Sequence, residues 1–391
     1  MKKKNKIIIL LTGFIYLILA LNILFIVSFD YQKHANRFTF LPLFKHKELK
    51  IDYTYPQPLN TPKKVKGIYL TGYSFTSKNG RARLIKLIES TELNTMVIDI
   101  KDPNNKLMFY PEDELLKPLE VSSAAVDNET TKQILTDLQN RNIYTIARIT
   151  TFQDNNATIA FPDLTLKNGE GKTWYNWQGI AWLDMTNPNA WELPIAQAKE
   201  AAMLGFDEIQ FDYIRFPSDG NIKTIVYHTP PENNKRYTTL KLFFEHMEEE
   251  LKDLPIPLSI DLFGLTYQRH KNPDYDLYIG QRLVDAAEHF DYISPMVYPS
   301  HYPNGFLGFA NPADHPFEIV DKALMEGNLI LNTVTSTTAL TRPWLQDFDI
   351  GAVYDGPMIK AQIEACDKNN CSGWILWNPR NVYTDEALEK I

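Results

Sequence analysis

The chain reads as an α/β protein, a (β/α)8 barrel of the TIM type preceded by an amino-terminal transmembrane helix and a linker. Three observations predict this. From about Val65 onward, short apolar runs rich in β-branched and aromatic residues alternate with helical patterns, the rhythm of a parallel sheet wrapped by helices. The ionisable residues of those runs gather near their carboxyl ends, opposite the aliphatic face, where barrel sites lie. Ahead of them, Ile7–Phe29 is apolar without a single charge, and crossing a bilayer takes about 20 such residues.

The first element is therefore a signal anchor over residues 1–29. Lys2, Lys3, Lys4 and Lys6 crowd before the apolar run, so the positive-inside bias keeps the amino terminus in the cytoplasm and exports the rest. A cleaved signal peptide is the alternative; it changes the tether but not the compartment. Residues 30–64 carry no clean periodicity, include YPQPLNTPKK, and read as a linker or stalk. The barrel spans residues 65–391, an extracytoplasmic domain on a single-pass membrane protein.

Strands are expected at Gly67–Thr71, Thr95–Lys101, Ile143–Ile149, Glu208–Tyr213, Pro257–Leu262, Tyr292–Val297, Arg342–Phe348 and Gly373–Trp377. Helical patterns fall between them at Arg81–Thr91, Thr130–Arg141, Ala190–Leu204, Thr238–Leu254, Tyr275–Phe290, Pro316–Gly327 and Pro357–Lys368. A doubly wound open sheet is the rival, but TGYSFTSKNG after the first strand lacks the GxGxxG phosphate turn. Long connections from Lys101 to about Asn128 and from Thr150 to Asn189, the second containing TWYNWQGIAW, are expected to wall a cleft at the carboxyl end.

Composition narrows the function. The 391 residues are 44% hydrophobic and 23% charged, enough for one large core or two smaller ones. A formal charge of −8 leaves no basic patch and argues against nucleic acid as a partner. Aromatic content of 12% offers flat faces for sugar rings as well as ordinary core filling. No HExxH, Cys/His cluster, GxSxG elbow or Walker loop is present, so no metal or cofactor is expected. Cys366 and Cys371 are too few for a zinc site; in an exported domain they could pair, and otherwise they are free thiols.

Period-two alternation collects the inward residues: Val97, Asp99 and Lys101; Tyr144, Ile146 and Arg148; Glu208, Gln210 and Asp212; Ser259 and Asp261; Ser294, Met296 and Tyr298. Charges are costly to bury alone, so this ring implies mutual pairing around a polar cavity. Asp212 and Asp261, on neighbouring strands, are the candidate catalytic pair, since glycoside hydrolysis needs one acid and one carboxylate. Asp99, Lys101, Arg148, Tyr298, Asp347, Trp374 and Trp377 are candidate substrate-binding residues, with one of the two tryptophans expected to face the helices. Glu208 lies deeper and reads as structural. Arg215 reads as a loop clamp, with substrate binding as the alternative.

Taken together, GIYLTGYS, VIDIKD, GFDEIQFDYIRFPSDG, SIDLFG, ISPMVYPSHY, RPWLQDF and GWILWNP resemble the bacterial putative glycosyl hydrolase domain family, from roughly Lys66 to the carboxyl terminus. The resemblance implies a (β/α)8 fold and a carbohydrate context. By similarity to the amylase-like barrels, Asp212 matches the position of their nucleophile, and Asp261 stands where their general acid, a Glu, is found. The expectation is a glycoside hydrolase acting on a cell-wall or surface polysaccharide; the alternative is a non-catalytic glycan-binding or scaffold barrel.

Overall fold

The computed structural model describes residues 53–231, 235–335 and 337–391. Eight parallel strand positions close into a barrel: β1 (Val65–Leu70), β2 (Thr95–Asp99), β3 (Tyr144–Thr150), β4 (Glu208–Asp212), β5 (Leu258–Phe263), β6 (Tyr292–Met296), β7 (Trp344–Gln346) and β8 (Gly373–Trp377). Closure comes from β8 beside β1, with Val65 opposite Gly373, and from β7 meeting β6 at Trp344 and Met296. The seventh strand is shorter than the sequence predicts. Leu340–Thr341 pairs with β6 first, and Pro343, which has no N–H for the ladder, separates it from β7.

Helices that flank the strands include α1 (Lys78–Glu89), α2 (Asn128–Asn140), α3 (Glu192–Leu204), α4 (Arg236–Leu251), α5 (Leu283–Ala287), α6 (Pro316–Leu331) and α7 (Gly356–Lys368). Their ends follow local chemistry. Ser77, Asp127 and Asp355 each cap an amino terminus by accepting a backbone N–H. Gly205 closes α3 at φ 108°, in the left-handed region. The helix expected over Tyr275–Phe290 shrinks to α5, because Leu277 and Tyr278 take φ of 56° and 60° and cannot continue a right-handed helix.

Alternation along the strands divides two cores. Ile68, Leu70, Met96, Ile98, Ala147, Ile149, Ile209, Phe211, Ile260 and Leu262 pack outward against the helices. Val65, Tyr69, Val97, Tyr144, Ile146, Trp344 and Ile375 pack inside the barrel. Within the segment assigned by sequence to the stalk, Tyr53–Lys64 forms no regular element yet lies against the barrel. Tyr53 Oη donates to Asp113 at 2.8 Å, the Leu59 N–H to Asp207 at 2.7 Å, and Thr61 Oγ1 sits 3.1 Å from Tyr144 Oη. Among the described residues no helix is long and apolar enough to cross a membrane; the expected anchor, Ile7–Phe29, falls outside them. Cys366 and Cys371 are buried and unbridged, with the Cys366 thiol donating to the Gly373 carbonyl at 3.2 Å.

At the carboxyl end the loops after β3 and β4 are tied by an antiparallel pair, Lys167–Asn168 with Ile225–Val226. The aromatic loop is partly core: Trp174 and Trp182 are buried, whereas Tyr175 and Trp177 stay exposed.

Candidate active site

Period two on β4 sends Glu208, Gln210 and Asp212 inward at three heights, and a polar layer forms around each. At the floor, Glu208 takes both terminal nitrogens of Arg342, the Ser259 hydroxyl at 2.6 Å and the Tyr144 hydroxyl at 3.1 Å. Glu208 and Arg342 are wholly enclosed; the glutamate's oxygens are all engaged, while Arg342 Nε has no hydrogen-bond partner among the described residues. In the middle, Asp261 Oδ1 accepts from Gln210 Nε2 and from the Trp344 indole, each at 2.7 Å. Gln210 Nε2 also reaches Ser294 Oγ at 3.0 Å.

Arg148 organises the upper layer. One terminal nitrogen donates to Asp99 at 2.5 Å, the other donates to Asp212, and Nε faces Asp261 Oδ2 at 3.6 Å. Tyr69 Oη donates to the second oxygen of Asp99 at 2.5 Å. The guanidinium lies 5.1 Å from the Trp377 ring centre and 5.7 Å from that of Tyr69, and those two rings stack at 3.9 Å. Asp212 Oδ1 accepts the Tyr213 N–H at 2.6 Å. Tyr213 itself sits at φ 52°, a left-handed conformation costing about 1 kcal/mol for a residue with a Cβ. Backbone strain of this kind concentrates at functional sites.

The three carboxylates differ in environment. Burial, then the neighbouring Asp212 charge, pushes Asp261 well above the usual carboxylate range, with Arg148 and the Trp344 indole pulling the other way. Burial also raises Asp99, opposed by Arg148 and Tyr69. For Arg148 burial works against the charge, but Asp99 and Asp212 outweigh it and hold the pKa well above ordinary. Side-chain exposure is 17% for Asp99, 8% for Asp212 and 1% for Asp261. Asp99 is thus the most open of the three, Asp212 is nearly enclosed, and Asp261 is sealed from solvent.

Of the residues singled out by sequence, the barrel brings together Asp99, Arg148, Asp212, Asp261, Tyr298 and Trp377. Tyr298 is buried in the inner core, packed edge-on to Phe348 at 5.5 Å, and burial followed by the Asp261 and Asp212 charges raises its pKa.

Three others go elsewhere. Lys101 lies beyond the end of β2, where alternation no longer governs direction, and its ammonium is fixed by Asp154 at 2.6 Å and the Thr150 carbonyl at 2.7 Å. Asp347 follows Gln346 and shares the parity of outward Leu345, so its carboxylate binds the Thr384 N–H at 3.1 Å and hydroxyl at 2.9 Å. Trp374 packs in the helix-facing core. Sequence reading missed Tyr69, Trp344 and Arg342. Tyr69 and Trp344 have inward parity in GIYLT and RPWLQDF, but aromatic residues there look like ordinary core.

No curated protein matches the chain. Among solved structures, a hypothetical protein from Ruminiclostridium thermocellum is 30% identical, covering 50% of this chain and 96% of its own, at a TM-score of 0.44. The glycoside hydrolase domain of PgaB (BpsB) from Bordetella bronchiseptica is 12% identical, covering 81% and 94%, at 0.57. An inactive mutant of the GH20 exo-β-N-acetylglucosaminidase from Vibrio harveyi is 15% identical, covering 84% and 55%, at 0.50. At these identities the last two speak for the barrel alone. The family itself is shown by sequence: residues 67–383 match the profile described as Putative glycosyl hydrolase domain, and the chain belongs to that family.

Proposed function

We propose that this protein is a glycoside hydrolase, anchored in the membrane by Ile7–Phe29 with its barrel outside the cytoplasm, and that it acts on a cell-wall or surface polysaccharide. The observation that carries the reading is Asp212. It stands at the carboxyl end of the barrel, held by Arg148, with 8% of its side chain exposed, beside the stacked Tyr69 and Trp377 rings. Two carboxylates in different environments divide the roles: Asp212 is paired with the Arg148 guanidinium, and burial pushes the Asp261 carboxyl well above the usual carboxylate range. Asp212 is then the nucleophile or principal carboxylate, and Asp261 its acid/base partner. Because Asp261 is enclosed, proton delivery from it to a glycosidic oxygen requires the Arg148–Asp212 layer to open.

One observation favours the second reading, a glycan-binding barrel without turnover: Arg148 already occupies both Asp99 and Asp212. Incubating the detergent-solubilised full chain with cell-wall and exopolysaccharide fractions decides between them. New reducing ends released by the wild type and not by a folded Asp212→Asn variant establish the hydrolase; binding without release in both establishes the module. Protease accessibility of the barrel on intact cells, compared with lysed ones, tests the anchor and its orientation.

A further inference from the structure

We propose that Arg215 forms a subsite for a carboxylate on the substrate, so that the glycan is an acidic one. This rests on the hydrolase-type reading of the barrel for the position of the substrate, but not on turnover.

Arg215 lies on the loop after β4, three residues beyond Asp212. Its guanidinium carbon is 4.7 Å from the ring centre of Phe263, 5.0 Å from that of Trp182 and 5.3 Å from that of Tyr213. Phe263 is the last residue of β5 and shares inward parity with Ser259 and Asp261. Phe263 and Tyr213 are both only half-buried. The guanidinium is therefore stacked at the rim of the barrel, beside the carboxylate layer.

The residue is 7% exposed, and among the described residues no carboxylate pairs with it. That sets it apart from the other arginines enclosed in the barrel: Arg148 is held by Asp99 and Asp212, and Arg342 by Glu208. The loop uses only one of its nitrogens, Nη1, which donates to the Phe216 carbonyl at 3.1 Å and to Ser218 Oγ at 3.2 Å. Nε and Nη2 have no hydrogen-bond partner among the described residues. Burial holds the guanidinium pKa below its ordinary value, with the charges of Tyr213, Asp212 and Asp219 opposing.

A buried, unpaired cation is costly, and a loop clamp needs only a neutral donor. Arginine presents a planar fork that matches a carboxylate, and stacking on rings fixes the plane of that fork. A sugar acid entering beside Asp212 supplies the direct ion-pair partner that no side chain provides. Two sources have this chemistry: the C6 carboxylate of a hexuronate, and the lactyl ether carboxylate of a muramic acid residue.

The test measures binding by the full chain in detergent, on an Asp212→Asn background that removes hydrolysis. Probes are a glucuronate oligosaccharide, an N-acetylglucosaminyl–N-acetylmuramic acid disaccharide, and the carboxyl-reduced form of each. At least one acidic probe is expected to bind about tenfold more tightly than its reduced form, and which one does so identifies the source. That preference should vanish in Arg215→Gln, persist in part in Arg215→Lys, and weaken as salt rises from about 50 to about 500 mM. Equal binding of charged and reduced probes, binding of neither, or an Arg215→Gln loss that falls alike on both overturns the proposal. Should Arg215→Gln fail to fold, the charged-against-reduced comparison and the salt dependence still decide. A chain that binds the acid without cleaving it in the wild type sinks the hydrolase and keeps the subsite; one that cleaves a neutral glycan and ignores the acids does the reverse.

Discussion

Arg148 joins Asp99 to Asp212, one terminal nitrogen to each, from the strand position paired directly with Asp99. Removing it strands two carboxylates in a largely water-free layer. Arg148→Met is therefore expected to destabilise the barrel by about 3–5 kcal/mol near pH 7. Arg148→Lys keeps the charge without the fork and should fall between it and the wild type. The deficit of Arg148→Met should shrink at lower pH: an acid whose pKa is raised in the folded state weakens folding as pH rises, and protonation relieves it. Urea unfolding at pH 5 and pH 8 checks this, and a deficit that is flat with pH, or below about 1 kcal/mol, refutes it.

The floor of the barrel makes a separate prediction. Glu208 and Arg342 are fully enclosed and pair with each other, with Tyr144 and Ser259 completing the glutamate. Arg342→Met alone leaves Glu208 as a buried charge and should cost about 3–5 kcal/mol. Glu208→Gln with Arg342→Met removes both charges and should recover more than half of that loss. If the double variant is as unstable as the single one, the pair is not the source of the effect.

The strand and helix rhythm was legible because period-two and 3.6-residue patterns depend only on local sequence. The same alternation placed Asp99, Arg148, Asp212 and Asp261 on one side. It failed where regular backbone ended: Lys101 lies past β2, and Asp347 takes the outward parity of Leu345. Arg342 was invisible for another reason. Its partner, Glu208, is 134 residues away, and only barrel closure brings strands four and seven across the same floor. The exposure difference between Asp212 and Asp261 likewise depends on the Trp344 indole and the packed layer above, which alternation alone cannot supply.

Glu200 gives a pH-dependent prediction away from the site. It lies buried on α3, accepts the Glu112 N–H at 2.6 Å and the Asp113 N–H, and leaves Oε2 without a partner. Burial pushes its pKa from 4.5 up to about 7, with the two backbone N–H groups opposing. Between those values the unfolded chain releases a proton that the folded chain keeps, so stability falls as pH rises through that window. Glu200→Gln should be about 1–3 kcal/mol more stable than the wild type at pH 8, and should show no gain at pH 4. Thermal unfolding at the two pH values measures it, and an equal effect at both excludes the titration as the cause.

Trp374 and Trp377 stand on one strand and face opposite ways. Trp374 is buried among the helices, whereas Trp377 stacks on Tyr69 and lies against the Arg148 guanidinium at the half-buried rim. Trp374→Ala should open a core cavity costing about 3–5 kcal/mol and leave glycan affinity per folded molecule unchanged. Trp377→Ala should cost less stability, since the ring is already partly solvated. If the ring floors the glycan site, that variant should weaken binding about tenfold, the worth of one aromatic contact with a stacked partner. Measuring unfolding and binding on both variants separates the roles. A Trp377→Ala protein that binds the wild-type ligand undiminished places the glycan away from the Tyr69–Trp377 stack, and with it away from the carboxylate layer that the stack adjoins.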